Sequence, residues 1–450
     1  MAGPVGPDLI RKVAGPALDL SGVDGVEVLF MHEWGGLTRF AKSSIHQSTS
    51  REDTVISVRV ISEGRAGVAS TNDFSEQGAR GAAIAAKEMA LVSSPDPSFA
   101  GLAPKAATFA SEGAYDAATA DASPESRAEA VATLVGQLRD GFHAAGAYET
   151  TAAEVAVANT EGQFCWAAYT QAMITSVVSG GEAGAGFGEH IAGRASDIDF
   201  EVIGRRAMTK AFDSQNPEPL APGRYTVVLE PAASSTLCEF LAYLGFGGRT
   251  LAEGRSCFSG KVGQRVAASS INIYDDALAT GTLGIPFDFE GTPKQRVALI
   301  DEGIFRGAAH DRRSAKQAGG ASTGHALPPP NPEGPFPLNV CMDPGDASLS
   351  EMIAAVDHGL LVTRFHYSNV VNPMEATITG MTRDGTFLIE NGQISRPVRN
   401  LRFTQSIPEA LSATRMIGRD RELASEFFFS ASLVPALLID DFQFTSASDH

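Results

Sequence analysis

Asp213-Ser214-Gln215-Asn216-Pro217-Glu218-Pro219-Leu220-Ala221-Pro222-Gly223-Arg224 divides a 450-residue chain into two halves of different character. Three prolines with an asparagine and a glycine in twelve residues can sustain neither a helix nor a central strand. The segment 213–224 therefore reads as a linker between an N-terminal domain, 1–212, and a C-terminal domain, 225–450.

Upstream of it, strands and helices alternate. Val26–Phe30 is a buried strand by composition, and Leu37–Lys42 and Thr54–Ile61 are further strands. In the last of these, Val55, Ser57, Arg59 and Ile61 share one face and Ile56, Val58 and Val60 the other. The turn Glu63-Gly64 leads to Gly67–Thr71, which predicts a meander. Gln77–Val92 is an Ala-rich helix. A second helix is expected from Ser123, a candidate N-cap followed by Pro124, to about Ala145, with Gly146 closing it. Val155–Asn159 and Phe164–Val178 return to strand character, and Asp197–Phe212 is a third helix. Gly184-Ala185-Gly186-Phe187-Gly188 lacks the spacing of a phosphate loop and reads as a flexible loop.

Downstream, the chain is Gly-rich with short β segments at Tyr225–Leu229, Ser270–Asp275, Ala298–Asp301, Gly359–Arg364, Thr377–Met381 and Gly385–Glu390. Asn391-Gly392 between Ile389 and Ile394 predicts a hairpin turn. Ala326–Pro337, which contains Pro328-Pro329-Pro330, predicts a surface loop. The fold class is α/β (α+β): an N-terminal mixed sheet with helices and a C-terminal strand-rich domain.

Charge narrows the partners. The chain carries 35 Lys and Arg against 53 Asp and Glu, a net charge of -18. Such a surface repels nucleic acid and anionic membrane. No run approaches the ~20 apolar residues of a membrane helix. Met1 to Pro16 has no apolar core of a secretory signal. The four cysteines, Cys165, Cys238, Cys257 and Cys341, form no C-x-x-C pair, which suits a reducing cytoplasm.

Several phrases together resemble the TldD/PmbA family of metallopeptidase-related proteins. They are Arg255-Ser256 with Gly260-Lys261-Val262-Gly263, Phe287-Asp288-Phe289-Glu290-Gly291-Thr292-Pro293, and Leu299-Ile300-Asp301-Glu302-Gly303. Ser322-Thr323-Gly324, Gly359-Leu360-Leu361-Val362-Thr363, Leu388-Ile389-Glu390-Asn391-Gly392 and Arg415-Met416-Ile417-Gly418-Arg419-Asp420 follow in order. In the first half, Thr38-Arg39-Phe40, Val58-Arg59-Val60, Gly64-Arg65-Ala66-Gly67 and Ser70-Thr71-Asn72 fit as well. Each phrase is short; their order and spacing over nearly the whole chain carry the resemblance.

The resemblance implies one of two forms. One form holds a catalytic metal on an H-E-x-x-x-H helix and degrades or trims peptides; the other, PmbA- or TldE-like, lacks the motif and pairs with the first. The matching position here reads Cys238-Glu239-Phe240-Leu241-Ala242-Tyr243. Both histidines are replaced, and Glu239 alone remains, at the place of the catalytic base. A catalytic zinc takes about three protein ligands and one water whose pKa it lowers. Cys238 could offer a thiolate, but the Tyr243 phenol, with a pKa near ~10, is a poor ligand. Without a metal, Glu239 has no activated water to serve, and Leu237, Phe240, Leu241 and Leu244 read as the apolar side of a packed amphipathic helix.

The expectation is therefore a non-metal subunit of a heteromeric peptidase acting on small or unfolded peptides. It would have no cofactor of its own, with zinc in an H-E-x-x-x-H partner. The competing expectation is an autonomous enzyme of peptide or natural-product tailoring, with Cys238, Glu239 and Tyr243 as catalytic suspects and His325 and His366 as substrate-binding ones. A Cys238 nucleophile fits poorly, since a neighbouring carboxylate raises a thiol pKa. His32-Glu33-Trp34-Gly35-Gly36 begins like a zincin motif but has Gly36 where the second histidine must stand, so Trp34-Gly35-Gly36 reads as a turn between strands. Asp275-Asp276, Asp288 and Glu290 read as turn carboxylates rather than a cation site.

Overall fold

The alternation of Ile56, Val58 and Val60 against Ser57 and Arg59 is realised in a long antiparallel sheet whose apolar face is covered by helices. A computed structural model describes residues 3–106, 114–425 and 431–448. The first sheet is built from β1 (Gly25–Ala41), β2 (Ser44–Ser62), β3 (Arg65–Thr71), β4 (Phe142–Asn159), β5 (Phe164–Gly180) and β6 (Gly184–Ala192). Its order is β3-β2-β1-β4-β5-β6, every neighbour antiparallel. The helices α1 (Pro7–Leu18), α2 (Glu76–Val92), α3 (Ala117–Ala120), α4 (Pro124–Val135) and α5 (Phe200–Asp213) accompany it. Ile56, Val58 and Val60 pack beneath α1 and α2 with Val26, Val28 and Phe30. The predicted meander, β1-β2-β3, is present.

Three expectations fail here, each for a packing reason. Trp34-Gly35-Gly36 is no turn: β1 runs straight through it, and a Cβ on Gly36 would stand 2.1 Å from the Arg127 guanidinium. The second helix starts as expected, the Ser123 hydroxyl accepting from Ser126 N at 3.1 Å, but ends at Val135 rather than near Ala145. Gly136 caps it, Gly141 turns the chain at φ 82°, and residues from Phe142 pair into β4. Gly184 to Gly188 is strand, not flexible loop. A Cβ on Gly186 would stand 2.1 Å from the Ala207 carbonyl, so these glycines let α5 lie directly on β6.

Residues 214–222 form no helix or strand, yet they are tied down: Glu218 exchanges backbone hydrogen bonds with Pro397 and Arg399 and pairs with Arg396. The second half then contributes β7 (Gly223–Leu229), α6 (Pro231–Gly245), α7 (Gly248–Ala252), β8 (Ile273–Asp275), β9 (Val297–Asp301), β10 (Ile304–Phe305), α8 (Arg312–Gln317) and β11 (Val340–Met342). It ends with α9 (Leu349–Ala354), β12 (His358–Asn372), β13 (Thr377–Glu390), β14 (Gln393–Pro397), β15 (Leu401–Ser406), α10 (Ile407–Ser412), β16 (Thr414–Ala424) and β17 (Ser432–Ala447). Thr377–Met381 and Gly385–Glu390, read as two strands, are one, β13. The Asn391-Gly392 hairpin is present: both residues have positive φ, and Glu390 pairs with Gln393. Ala326–Pro337 is irregular as expected but half sunk, with Ala326, Gly334, Pro335 and Pro337 buried.

Five strands close on themselves. β7 pairs parallel with β12, β12 with β13, β13 with β15, β15 with β17, and β17 back with β7. Closure leaves no open edge in this ring. Phe365, Phe403, Phe442 and Phe444 stack in it, with ring centroids 4.3–5.8 Å apart. The helix α6 packs against β12 and β17. It is buried on nearly every side rather than on one, so the amphipathic expectation is corrected to a central helix.

The two sheets are stapled together. Ile285 and Phe287 pack on Leu29, Val155 and Val157 of the first sheet. Beside them Arg59 lies between Glu27 at 3.0 Å and Glu290 at 3.1 Å, with 16% of its side chain exposed. Burial pushes the Glu27 carboxyl up to about 7, against the opposing pull of Arg59. The Gln163 amide donates to the Gly291 carbonyl at 2.6 Å.

Candidate functional site

The cleft between the two sheets is where the sequence-flagged helix meets the rest of the molecule. The strand β7 ends at Leu229, and Pro231 at the first turn starts α6 with its missing N–H costing nothing. This turn faces β6 across two adjoining cavities of ≈ 270 Å³ and ≈ 320 Å³, which share Phe187, Glu189 and Ala232. The first is walled by paired charges. Lys210 of α5 bridges Glu230 at 2.5 Å and the Thr363 hydroxyl at 2.9 Å, and Arg206 holds Glu422 at 2.8 and 2.9 Å. The second cavity holds Ser176, Ser235, Arg364 and His366. Arg364 donates to Asp384 at 2.7 Å and lies 4.3 Å over the Phe187 ring.

Glu189 is the electrostatic outlier. Burial pushes its carboxyl up to about 8, helped by Glu239 and Glu422 and opposed by a hydrogen bond from the Ser425 backbone and by Arg364. A carboxyl at that value exchanges protons near neutral pH. His366, on the same cavity, has its basicity lowered by burial and by Arg364 and Arg383. Sequence reasoning flagged His366 but missed Glu189, which sits in a strand read as a loop; no local pattern marked it.

The other flagged residues scatter. Cys238 is fully buried on the side of α6 facing Cys341, and its thiol is pushed far above the usual range by burial and the Glu239 carboxylate. Glu239 is buried and acts electrostatically on Glu189. Tyr243 is 47% exposed. His325 is buried away from the cleft, with Nε2 2.9 Å from Asp275 and Nδ1 2.9 Å from the Thr323 hydroxyl. It belongs to a polar network that also holds Lys294, Asn339 and Asp288. The turn reading holds for Asp288, which accepts from three backbone N–H groups, those of Glu290, Thr292 and Ala326, but not for Asp275, which stands buried in β8 against His325, nor for Glu290, which pairs with Arg59. Among the described residues no group of three His, Cys, Asp or Glu side chains converges on a metal-sized point.

Cys238 and Tyr243 therefore do not fit a catalytic zinc. One donor is a protonated thiol in the core, and the other stands at the surface, whereas zinc needs convergent ligands.

Comparison with known proteins agrees with the fold. Residues 222–446 match the family profile described as PmbA/TldA metallopeptidase C-terminal domain, and residues 26–90 match PmbA/TldA metallopeptidase domain 1. A metalloprotease of Methanothermobacter thermautotrophicus is 25% identical over 308 residues, 64% of this chain and 67% of that protein. Metalloprotease PmbA of Escherichia coli O157:H7 is 23% identical over 451 residues, 96% of each. Matches to the metalloproteases described as TldD homologues span about half of their length. The crystal structure of TldE from Thermococcus kodakarensis superposes with a TM-score of 0.86 at 22% identity, covering 97% of this chain and 99% of that one. The profile matches, on the barrel domain and on the first strands of the sheet, show that the chain belongs to the PmbA/TldD metallopeptidase family.

Proposed function

We propose that this chain is the metal-free subunit of a heteromeric peptidase that acts on small or unfolded peptides, and that it works in the cytoplasm. The observation that carries the reading is the state of α6. In α6, which the resemblance matches to the family's metal-binding helix, Glu239 is buried, Cys238 is locked in the core and Tyr243 turns to the surface. On this reading the zinc and its water belong to a partner with an intact H-E-x-x-x-H helix. This chain would wall the chamber, with the cleft of paired charges between β6 and α6 lying along a peptide's path. Every cation named there is neutralised by a carboxylate, which suits a peptide's neutral backbone better than a highly charged ligand.

One observation favours a second reading, an autonomous peptide- or natural-product-tailoring enzyme. Glu189 and His366 share a cavity, and Glu189 sits where it can exchange a proton near neutral pH. The test is gentle affinity purification from the native cells, with mass spectrometry and zinc analysis. An H-E-x-x-x-H paralogue in equal amount with about one zinc per pair is expected. Elution alone and metal-free overturns the subunit reading and moves attention to Glu189 and His366.

A further inference from the structure

Two arginines packed against the first sheet contrast sharply, Arg59 of β2 and Arg127 of α4. Arg59 has two carboxylates against it. Arg127, only 1% exposed, has none in hydrogen-bonding contact among the described residues. Its Nε donates to the Thr38 hydroxyl at 3.3 Å, and its Nη1 donates to the Ala122 carbonyl at 2.7 Å and the Thr150 hydroxyl at 3.2 Å. Its Nη2 is buried without a hydrogen-bond partner among the described residues. Glu125, the carboxylate acting on it through space, is on the solvent side of the same helix. A cation this buried normally meets an anion, because uncompensated charge is costly away from water.

The guanidinium lies over Gly36, in space that a side chain would fill. Two residues along the same face of β1 stands Trp34, 4% exposed, whose indole N–H is also buried without a hydrogen-bond partner among the described residues. Arg127 and Trp34 both line a cavity of ≈ 380 Å³, completed by Gly35, Ser50, Glu52 and Ala120 to Ala122. Arg51 lines it too but is engaged by Glu33 and Glu149. Further along the face a second cavity, ≈ 620 Å³, shares Glu52 and is lined by the buried His32, whose Nε2 lies 3.8 Å from the Glu52 carboxylate and has no hydrogen-bond partner among the described residues.

We propose that this groove on the N-terminal sheet binds the carboxylate of a small ligand, a free amino acid or the C-terminus of a short peptide, on Arg127 with the Trp34 indole N–H beside it. Two donors suit the two oxygens of a carboxylate. A phosphate brings more charge and more oxygens, and would face Glu52 and Asp121 on the cavity wall. Those two carboxylates are placed instead to meet a ligand's ammonium. The volume suits one or two residues. The site is separate from the cleft at α6, and the inference stands whether or not the chain is a subunit.

Calorimetric titration of the full chain with Gly-Leu, free leucine and Gly-leucinamide tests it. Saturable binding of the carboxylate ligands, at least tenfold weaker for the amide, is expected. Ser50→Tyr, which fills the cavity from an exposed strand position opposite Gly36, abolishes the binding, and Arg127→Met, where it folds, does the same. Leucine binding as well as the dipeptide assigns a free amino acid, and dipeptide binding alone assigns a peptide end. Equal binding of acid and amide, no saturable heat, or binding that survives Ser50→Tyr overturns the proposal.

Discussion

Replacing Glu189 with glutamine should make the protein more stable at high pH. Its carboxyl is held at about 8, against 4.5 in a solvated glutamate, chiefly by burial at the back of the cleft. A raised acid contributes its stability below the unfolded value of 4.5 and loses it as pH rises through about 8. Each unit between these limits is worth about 1.4 kcal/mol, so the ionised side chain costs up to about 5 kcal/mol by pH 9. Glutamine has the same shape, can accept the Ser425 N–H, and carries no charge to desolvate. Thermal unfolding followed by circular dichroism is the assay. At pH 5 the two proteins should melt within a few degrees of each other. At pH 9 Glu189→Gln should melt about 10 °C or more above the parent, at ~2–4 °C per kcal/mol for a domain of this size. A gap that does not widen between pH 5 and 9, or a variant less stable at pH 9, refutes the argument that this carboxyl is buried at an electrostatic cost.

Three further outcomes follow from the packing. Arg59→Met strands Glu27 and Glu290 at the junction of the two sheets and should cost about 3–5 kcal/mol in urea unfolding; adding Glu27→Gln and Glu290→Gln should restore part of it, and a loss under about 1 kcal/mol removes the staple from the account. Gly186→Ala forces a methyl against the Ala207 carbonyl and should cost about 1–3 kcal/mol, measured the same way; a neutral result means that α5 does not rest on β6 as described. All four cysteines are buried with thiols raised by burial, to about 12 or beyond, so a disulfide reagent at pH 8 should label them only in guanidinium. Rapid native labelling of Cys238 would return it to the list of reactive groups.

Local signals served where the deciding interaction is local. The Ser123-Pro124 start of α4 and the Asn391-Gly392 turn each depend on a few neighbouring residues, and both were legible. The end of α4 was not, because Val131, Leu134, Val135, Leu138 and Phe142 continue a helical spacing past Gly136 while residues from Phe142 are claimed by pairing with β5. The Gly184–Gly188 segment misled for a related reason: its glycines serve a helix that lies about twenty residues later in the chain. Of the site, His366 was found by type alone. Glu189 was invisible because its environment is made by Arg364, Glu239 and Glu422, which are remote in sequence.

By itself the sequence determined the class of fold and the family resemblance, since these reside in residue identity and order. Only the tertiary structure decided that five strands close into a ring, that α6 is buried on nearly every side, and that Arg127 of α4 is buried with no carboxylate in hydrogen-bonding contact among the described residues. The physical reason is that burial and long-range pairing fix those properties, and neither is a property of any one stretch of chain.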